Sequence, residues 1–175
     1  MMLNKIPANT SIQSILTYLD TSTKWGARNR ALFAVRQQLR IKDIALLSVS
    51  SVVNLDASIR RFVMATDGKR FDLSAATQAE LKRYIQSRFG IKSLEDLTPE
   101  QAAAPLFTTQ KKPHFSPNTL AQHYSGLDRA IHEQFQATGQ GRSTRIHPAS
   151  AEPATAKKSS LSRLMSSLAV AGSIR

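Results

Sequence analysis

The chain contains no cysteine, which excludes disulfides, a thiol nucleophile and any thiolate-bound zinc site. No stretch approaches the roughly 18 consecutive apolar residues that a membrane span requires. The N-terminal segment, interrupted by Asn4, Lys5, Asn9 and Gln13, lacks the apolar core of a signal peptide. A soluble, cytoplasmic protein is the expectation. Glycine-rich phosphate loops are missing as well, because Gly139-Gln140-Gly141 has neither a strand before it nor a helix after it. No Gly-x-Ser-x-Gly elbow occurs, and no Ser, His and Asp grouping stands out. His114, His123 and His132 are spaced nine apart, about two and a half helical turns, so they do not share one face. With no carboxylate at ligand spacing from them or from His147, no metal site and no cofactor are expected.

Acids are scarce. Twelve Asp and Glu stand against 24 Lys and Arg in 175 residues, a formal net charge of +12. The excess is uneven. Lys24, Arg28, Arg30, Arg36, Arg40 and Lys42 follow one another with no acid between them, and residues 141–175 carry six further cations against Glu152 alone. A nucleic-acid backbone rewards such an excess, because each neutralised phosphate releases counterions. An anionic membrane surface or an acidic protein would reward it too. The length suits one domain, and 41% apolar residues can supply one modest core.

Periodicity predicts a mostly helical domain. Ile12, Ile15, Leu16 and Leu19 share a face of a helix over 8–20, with Thr10 or Ser11 as its cap. A second helix over 28–38 carries Leu32, Val35 and Leu39 on one side together with the basic run, and a short third covers 42–47. Residues 48–54 read as a loose connection. Between Ser58 and Leu73 the pattern changes to two short strands around Asp67-Gly68, a hairpin signature. Thr77 and Glu80 suggest a capping box opening a helix through Leu81, Tyr84 and Ile85, which Gly90 ends. Thr98-Pro99-Glu100-Gln101 opens another helical turn that Pro105 stops. Ser116-Pro117 starts a long amphipathic helix bearing Leu120, Tyr124, Leu127, Ile131 and Phe135. The expected fold is therefore α+β, mostly helical with one small antiparallel sheet, over 10–137. Residues 138–175 read as a basic, mostly disordered tail, ending in a short helix whose Leu161, Leu164 and Leu168 would need a receiving surface.

Several segments taken in order resemble a known family. Arg28-Asn29-Arg30-Ala31-Leu32 precedes Leu39-Arg40-Ile41-Lys42-Asp43-Ile44, then the basic hairpin, then Leu106-Phe107 and the Ser116-capped helix. This succession resembles the catalytic domain of tyrosine recombinases, the phage-integrase family of DNA integration and mobile elements. The resemblance implies a double-stranded DNA partner. It marks Arg40 as the arginine that binds the scissile phosphate, a role suited to a planar, permanently charged guanidinium. Lys69 falls near the family's hairpin lysine, the general acid toward the leaving oxygen, with Arg70 competing for the place. A local ion pair with Asp43 is the purely structural alternative for Arg40. The candidate DNA-binding set is Lys24, Arg28, Arg30, Arg36, Arg40, Lys42, Arg60, Lys69 and Arg70.

The sequence also departs from the family. His147 is followed by Pro148, Ala149 and Ser150, so the family's His-x-x-Arg box is not recognisable, and the tyrosines, Tyr18, Tyr84 and Tyr124, all lie upstream of the nucleophile's place. Gln37 and Gln38 stand where the family has glycine before the first arginine. Without a nucleophile the phosphotyrosine intermediate cannot form. The expectation is a truncated, catalytically inactive recombinase-like protein that binds DNA. The alternative is a regulatory module that binds an acidic partner or a sister recombinase, with Leu161, Leu164 and Leu168 serving self-association.

Overall fold

The computed structural model describes residues 10–22, 25–109 and 112–140, all within the first of the two units into which the chain divides, Met1–Ser143. Seven α-helices, a short 3-10 helix (Leu94–Asp96) and one hairpin are defined there: α1 (Ile12–Ser22), α2 (Gly26–Arg36), α3 (Ile41–Ala45), α4 (Val49–Val52), β1 (Phe62–Met64), β2 (Arg70–Asp72), α5 (Ala75–Phe89), α6 (Pro99–Ala103) and α7 (Pro117–Gln140). The mostly helical fold with a small antiparallel sheet agrees with the sequence reading. Lys24 and the stripe of Leu161, Leu164 and Leu168 lie outside the described residues, as does the tail beyond residue 140.

Helix α2 is the centre of the fold. It packs against α1 on one side and α5 on the other, so Gly26 and every residue from Arg28 to Val35 are buried. The sequence suggested a one-sided amphipathic helix. Its neighbours, α7 among them, instead cover both its apolar and its basic face. Gly26 is required where α1 and α2 meet, because a Cβ there would stand 2.5 Å from the carbonyl oxygen of Asp20. Burial of Leu32, Val35, Leu81, Ile85, Leu120 and Ile131 joins α2, α5 and α7 around one apolar core.

Several starts differ from the predicted ones for local reasons. α5 begins one turn earlier than Thr77 implies: Ser74 is its cap, accepting from the backbone N–H of Thr77, and Gly90 ends it in the left-handed region at φ 67°. Thr77 is buried, and Glu80 serves an ion pair rather than a box. The expected loose connection over 48–54 contains α4, closed by reciprocal bonds between Ser48 and Ser51. Neighbouring backbone supports it, since Val49 N–H donates to Ala104 (3.0 Å) and Leu106 N–H to Leu47 (2.7 Å). Thr98 and Gln101 form the capping box of α6 as the spacing predicts. Ser116 caps α7, accepting from Thr119 N–H at 3.1 Å.

The hairpin pairs Phe62 with Asp72, Val63 with Phe71 and Met64 with Arg70. Its turn is not the two-residue kind. Ala65 N–H donates to the Lys69 carbonyl (2.8 Å) and Gly68 N–H to that of Ala65 (3.0 Å), while only Gly68 takes a positive φ, 75°. That is a three-residue loop closed by a left-handed glycine. It leaves the Asp67 carboxylate at the tip of the hairpin.

Candidate nucleic-acid interface

Arg40 is the residue before α3, held extended at φ −79° and ψ 149°, so its side chain swings out from the helix start. Its Nε donates to Asp43 Oδ2 at 2.7 Å and its Nη2 to Asp67 Oδ2 at 2.9 Å. The guanidinium also lies over the Phe71 ring, 5.4 Å from the centroid. The two carboxylates differ in setting. Asp43 is buried and also accepts from Thr66 Oγ1 (3.3 Å), which makes it a fixed anchor. Asp67 is exposed on the turn, and Lys69 Nζ approaches the same Oδ2 at 3.9 Å. The Arg40 hydrogen bond, foremost, holds the Asp67 carboxyl below its usual range. The Asp67 bond and then the Asp43 bond raise the Arg40 guanidinium in turn.

The two positions marked by the family resemblance, one before α3 and one on the hairpin turn, thus converge on one exposed carboxylate. Arg70 does not join them. It pairs across the sheet with Met64, on the face opposite Phe71 and hence opposite Arg40, where it lies 4.0 Å from the Phe62 ring centroid and bonds Asp72. Lys42 is exposed on α3. Arg60 is half-buried, with its Nε donating to the Val53 carbonyl at 3.3 Å.

The cations of α2 are engaged inside the molecule. Arg30 is buried, grips Glu80 of α5 through Nε (2.8 Å) and Nη2, and approaches Asp20 of α1 at 3.5 Å. Arg36 Nη1 donates to both carboxylate oxygens of Asp128 on α7 (2.8 and 2.9 Å) and lies over the Tyr124 ring at 4.7 Å. Arg28 is buried and donates from Nη1 to the Thr108 carbonyl at 3.0 Å. Charge alone could not reveal this, because the carboxylates concerned lie 50 and 92 positions away in the chain.

Sequence reasoning missed Asp67 as a partner of Arg40, having read it only as a turn former. It also left open what the glutamines before Arg40 do. Gln38 bridges to the start of α5, donating to Ser74 Oγ and Thr77 Oγ1 (both 3.0 Å) and accepting from Ser74 N–H (3.1 Å). These bonds tie the segment before Arg40 to the residue that follows the hairpin. All three tyrosines have structural settings: Tyr124 and Tyr84 are buried, and Tyr18 meets Phe135 edge-on with centroids 6.0 Å apart. Tyr124 Oη donates to the Leu32 carbonyl at 2.9 Å, and burial pushes its pKa far above the ordinary phenol value. No group of three or more metal-ligating side chains occurs among the described residues, and no helix there is long and apolar enough to cross a membrane.

No protein-family model matches the sequence, and no curated protein matches it. Among solved structures the chain is similar to the crystal structure of XerA recombinase, at 15% identity and a TM-score of 0.46, over 81% of this chain and 52% of that one. The chain therefore spans about half the length of that recombinase.

Proposed function

We propose that the protein binds double-stranded DNA through the face on which Arg40 and Lys69 meet, as a recombinase-like domain that holds a phosphate without cleaving it. The observation that carries this reading is the shared Asp67 carboxylate. An exposed carboxylate accepting from a guanidinium and close to an ammonium occupies the kind of place a phosphate oxygen would take. Lys42 and Arg60 are the further candidates for backbone contacts, and Arg28, Arg30 and Arg36 serve the fold. Transesterification would need an exposed nucleophile. Every tyrosine of this sequence sits in a helix contact, and a phenol buried like that of Tyr124 resists ionisation.

The test is titration of a labelled random-sequence duplex across a salt series. Arg40→Ala is a poor variant by itself, because it strips the buried Asp43 carboxylate of its ion partner, and loss of a partner to a buried charge destabilises. Lys69→Ala, with its side chain 70% exposed, removes one charge and spares the fold. Arg40→Lys keeps the charge at Asp43 while losing the planar fork. Log affinity should fall linearly with log salt, and Lys69→Ala should reduce the slope by about 0.9 if one phosphate contact is lost. Unchanged binding in both variants, with folding intact by melting, would remove this face from the interface. No binding at low salt would reject the DNA reading altogether.

A further inference from the structure

Arg28 differs from the other arginines of α2 in having no carboxylate. Its side chain is buried, yet no Asp or Glu pairs with it among the described residues, and its Nε is enclosed without a hydrogen-bond partner. A guanidinium stays charged under these conditions, so the desolvation cost remains largely uncompensated. Burial accordingly pulls its pKa below the ordinary arginine value. Partial relief comes from the Thr108 carbonyl, which accepts from Nη1 at 3.0 Å, and from two aromatic rings, Trp25 at 5.0 Å and Phe115 at 5.7 Å from the guanidinium carbon.

The same arginine lines a cavity of about 750 Å³ between the start of α2 and the first turns of α7, within the usual range for a small-ligand site. Trp25, Phe115, His123 and Gly126 contribute to its wall, Lys112 stands among the lining residues, and no acidic residue lines it. His123 Nε2 hydrogen-bonds Asn29 Oδ1 at 3.1 Å, and burial keeps this imidazole neutral near pH 7. Much of the lining is apolar, and the one buried charge in it is a guanidinium that no carboxylate pairs with among the described residues.

We propose that this cavity is a binding site for a small aromatic anion, a carboxylate or sulfonate, with its ring against the apolar wall and its acid group toward Arg28. The site shares no residue with the Arg40 and Lys69 face and does not depend on DNA binding. Trp25, the single tryptophan of the chain, reports on occupancy by energy transfer.

The experiment titrates the full chain with 8-anilinonaphthalene-1-sulfonate and, in parallel, with uncharged N-phenyl-1-naphthylamine, exciting Trp25 and reading probe emission. Arg28→Met should weaken the sulfonate by about tenfold, the usual worth of a charge-assisted bond, and leave the uncharged probe unaffected. Gly126→Leu is the second variant. A Cβ at Gly126 meets nothing within 4 Å, and Gly126 lines the cavity, so a leucine there narrows it and should weaken both probes. The proposal fails if sulfonate emission shows no transfer from Trp25, if Gly126→Leu leaves sulfonate binding intact, or if Arg28→Met weakens both probes equally. Should Arg28→Met not fold, Arg28→Lys must retain measurable sulfonate binding while Gly126→Leu weakens it.

Discussion

Arg40 donates to Asp67 across the gap between the start of α3 and the tip of the hairpin, Nη2 to Oδ2 at 2.9 Å. The bond joins a guanidinium anchored from below by Asp43 to a carboxylate on a turn with few other ties. Within it Asp67 is the replaceable member. A phosphate offering two oxygens would compete for the outward edge of Arg40, whereas Asp43 would stay in place.

Asp67→Asn should therefore tighten duplex binding. It removes one negative charge beside Arg40 and Lys69 and lets the guanidinium meet phosphate without first breaking an ion pair. A gain of about three- to tenfold at low salt, shrinking as salt rises, is expected from the loss of a like-charged neighbour. Fluorescence anisotropy measures it. The melting temperature should hardly move, since exposed ion pairs add little stability. Weaker or unchanged binding would mean that Asp67 does not compete with phosphate.

Arg30 and Glu80 make the opposite prediction. Their side chains are 10% and 12% exposed, and the pair ties α2 to α5. Removing one member leaves a poorly solvated charge, so Glu80→Ala should cost about 3 kcal/mol in urea unfolding. The folded variant should bind duplex with an unchanged salt slope. A reduced slope in Arg30→Met, with Glu80→Ala neutral, would return Arg30 to the interface.

The pH dependence of stability should carry a signature of His123. Burial, aided by the nearby positive charge of Arg28, lowers its pKa to about 4. The folded state then binds fewer protons than the unfolded state between the ordinary histidine value of about 6.5 and the depressed one. Stability from this group is complete above about pH 6.5 and is lost as pH falls toward 4, by about 1 to 2 kcal/mol once solvent screening of the half-buried ring is allowed for. Urea denaturation at pH 7 and pH 4.5 tests this, with His123→Gln as the control. The variant should show a smaller loss between the two pH values, and an equal loss would assign the effect to carboxylates.

Two helical glycines should respond with opposite signs. Gly26→Ala forces a methyl to within 2.5 Å of the Asp20 carbonyl oxygen and 2.8 Å of its Cα, so α1 and α2 must separate. A loss of about 1–3 kcal/mol fits the cost of overpacking. Gly126→Ala adds a methyl into open space on α7 and should stabilise by about 0.5–1 kcal/mol through helix propensity. Thermal melts of both variants suffice, and a stable Gly26→Ala would show that the helices can part at little cost.

The elements were legible where their causes are local. A hydroxyl cap lies three residues from the N–H it accepts, a helix face repeats within four, and a hairpin turn needs its left-handed glycine at the loop. Ser116, Gly90, the Thr98 to Gln101 box and the Asp67-Gly68 turn could therefore be read from the chain. Where the reading slipped, a nearby alternative cap decided the outcome: Ser74 preceded Thr77, and Ser48 with Ser51 closed a helix that carries no Glu or Gln box.

The fate of each cation was not legible, and the reason is physical. Composition determined that the chain is strongly basic and local periodicity that it is mostly helical, because charge is a sum over residues and helix patterns repeat within a turn. Whether a guanidinium faces solvent or a carboxylate depends on which helices meet, and that is settled by burial of apolar surface across the whole domain. Only the tertiary structure turned Arg30 toward Glu80 and Arg36 toward Asp128, left Arg28 buried with no acid beside it among the described residues, and brought Arg40 and Lys69 to one exposed carboxylate.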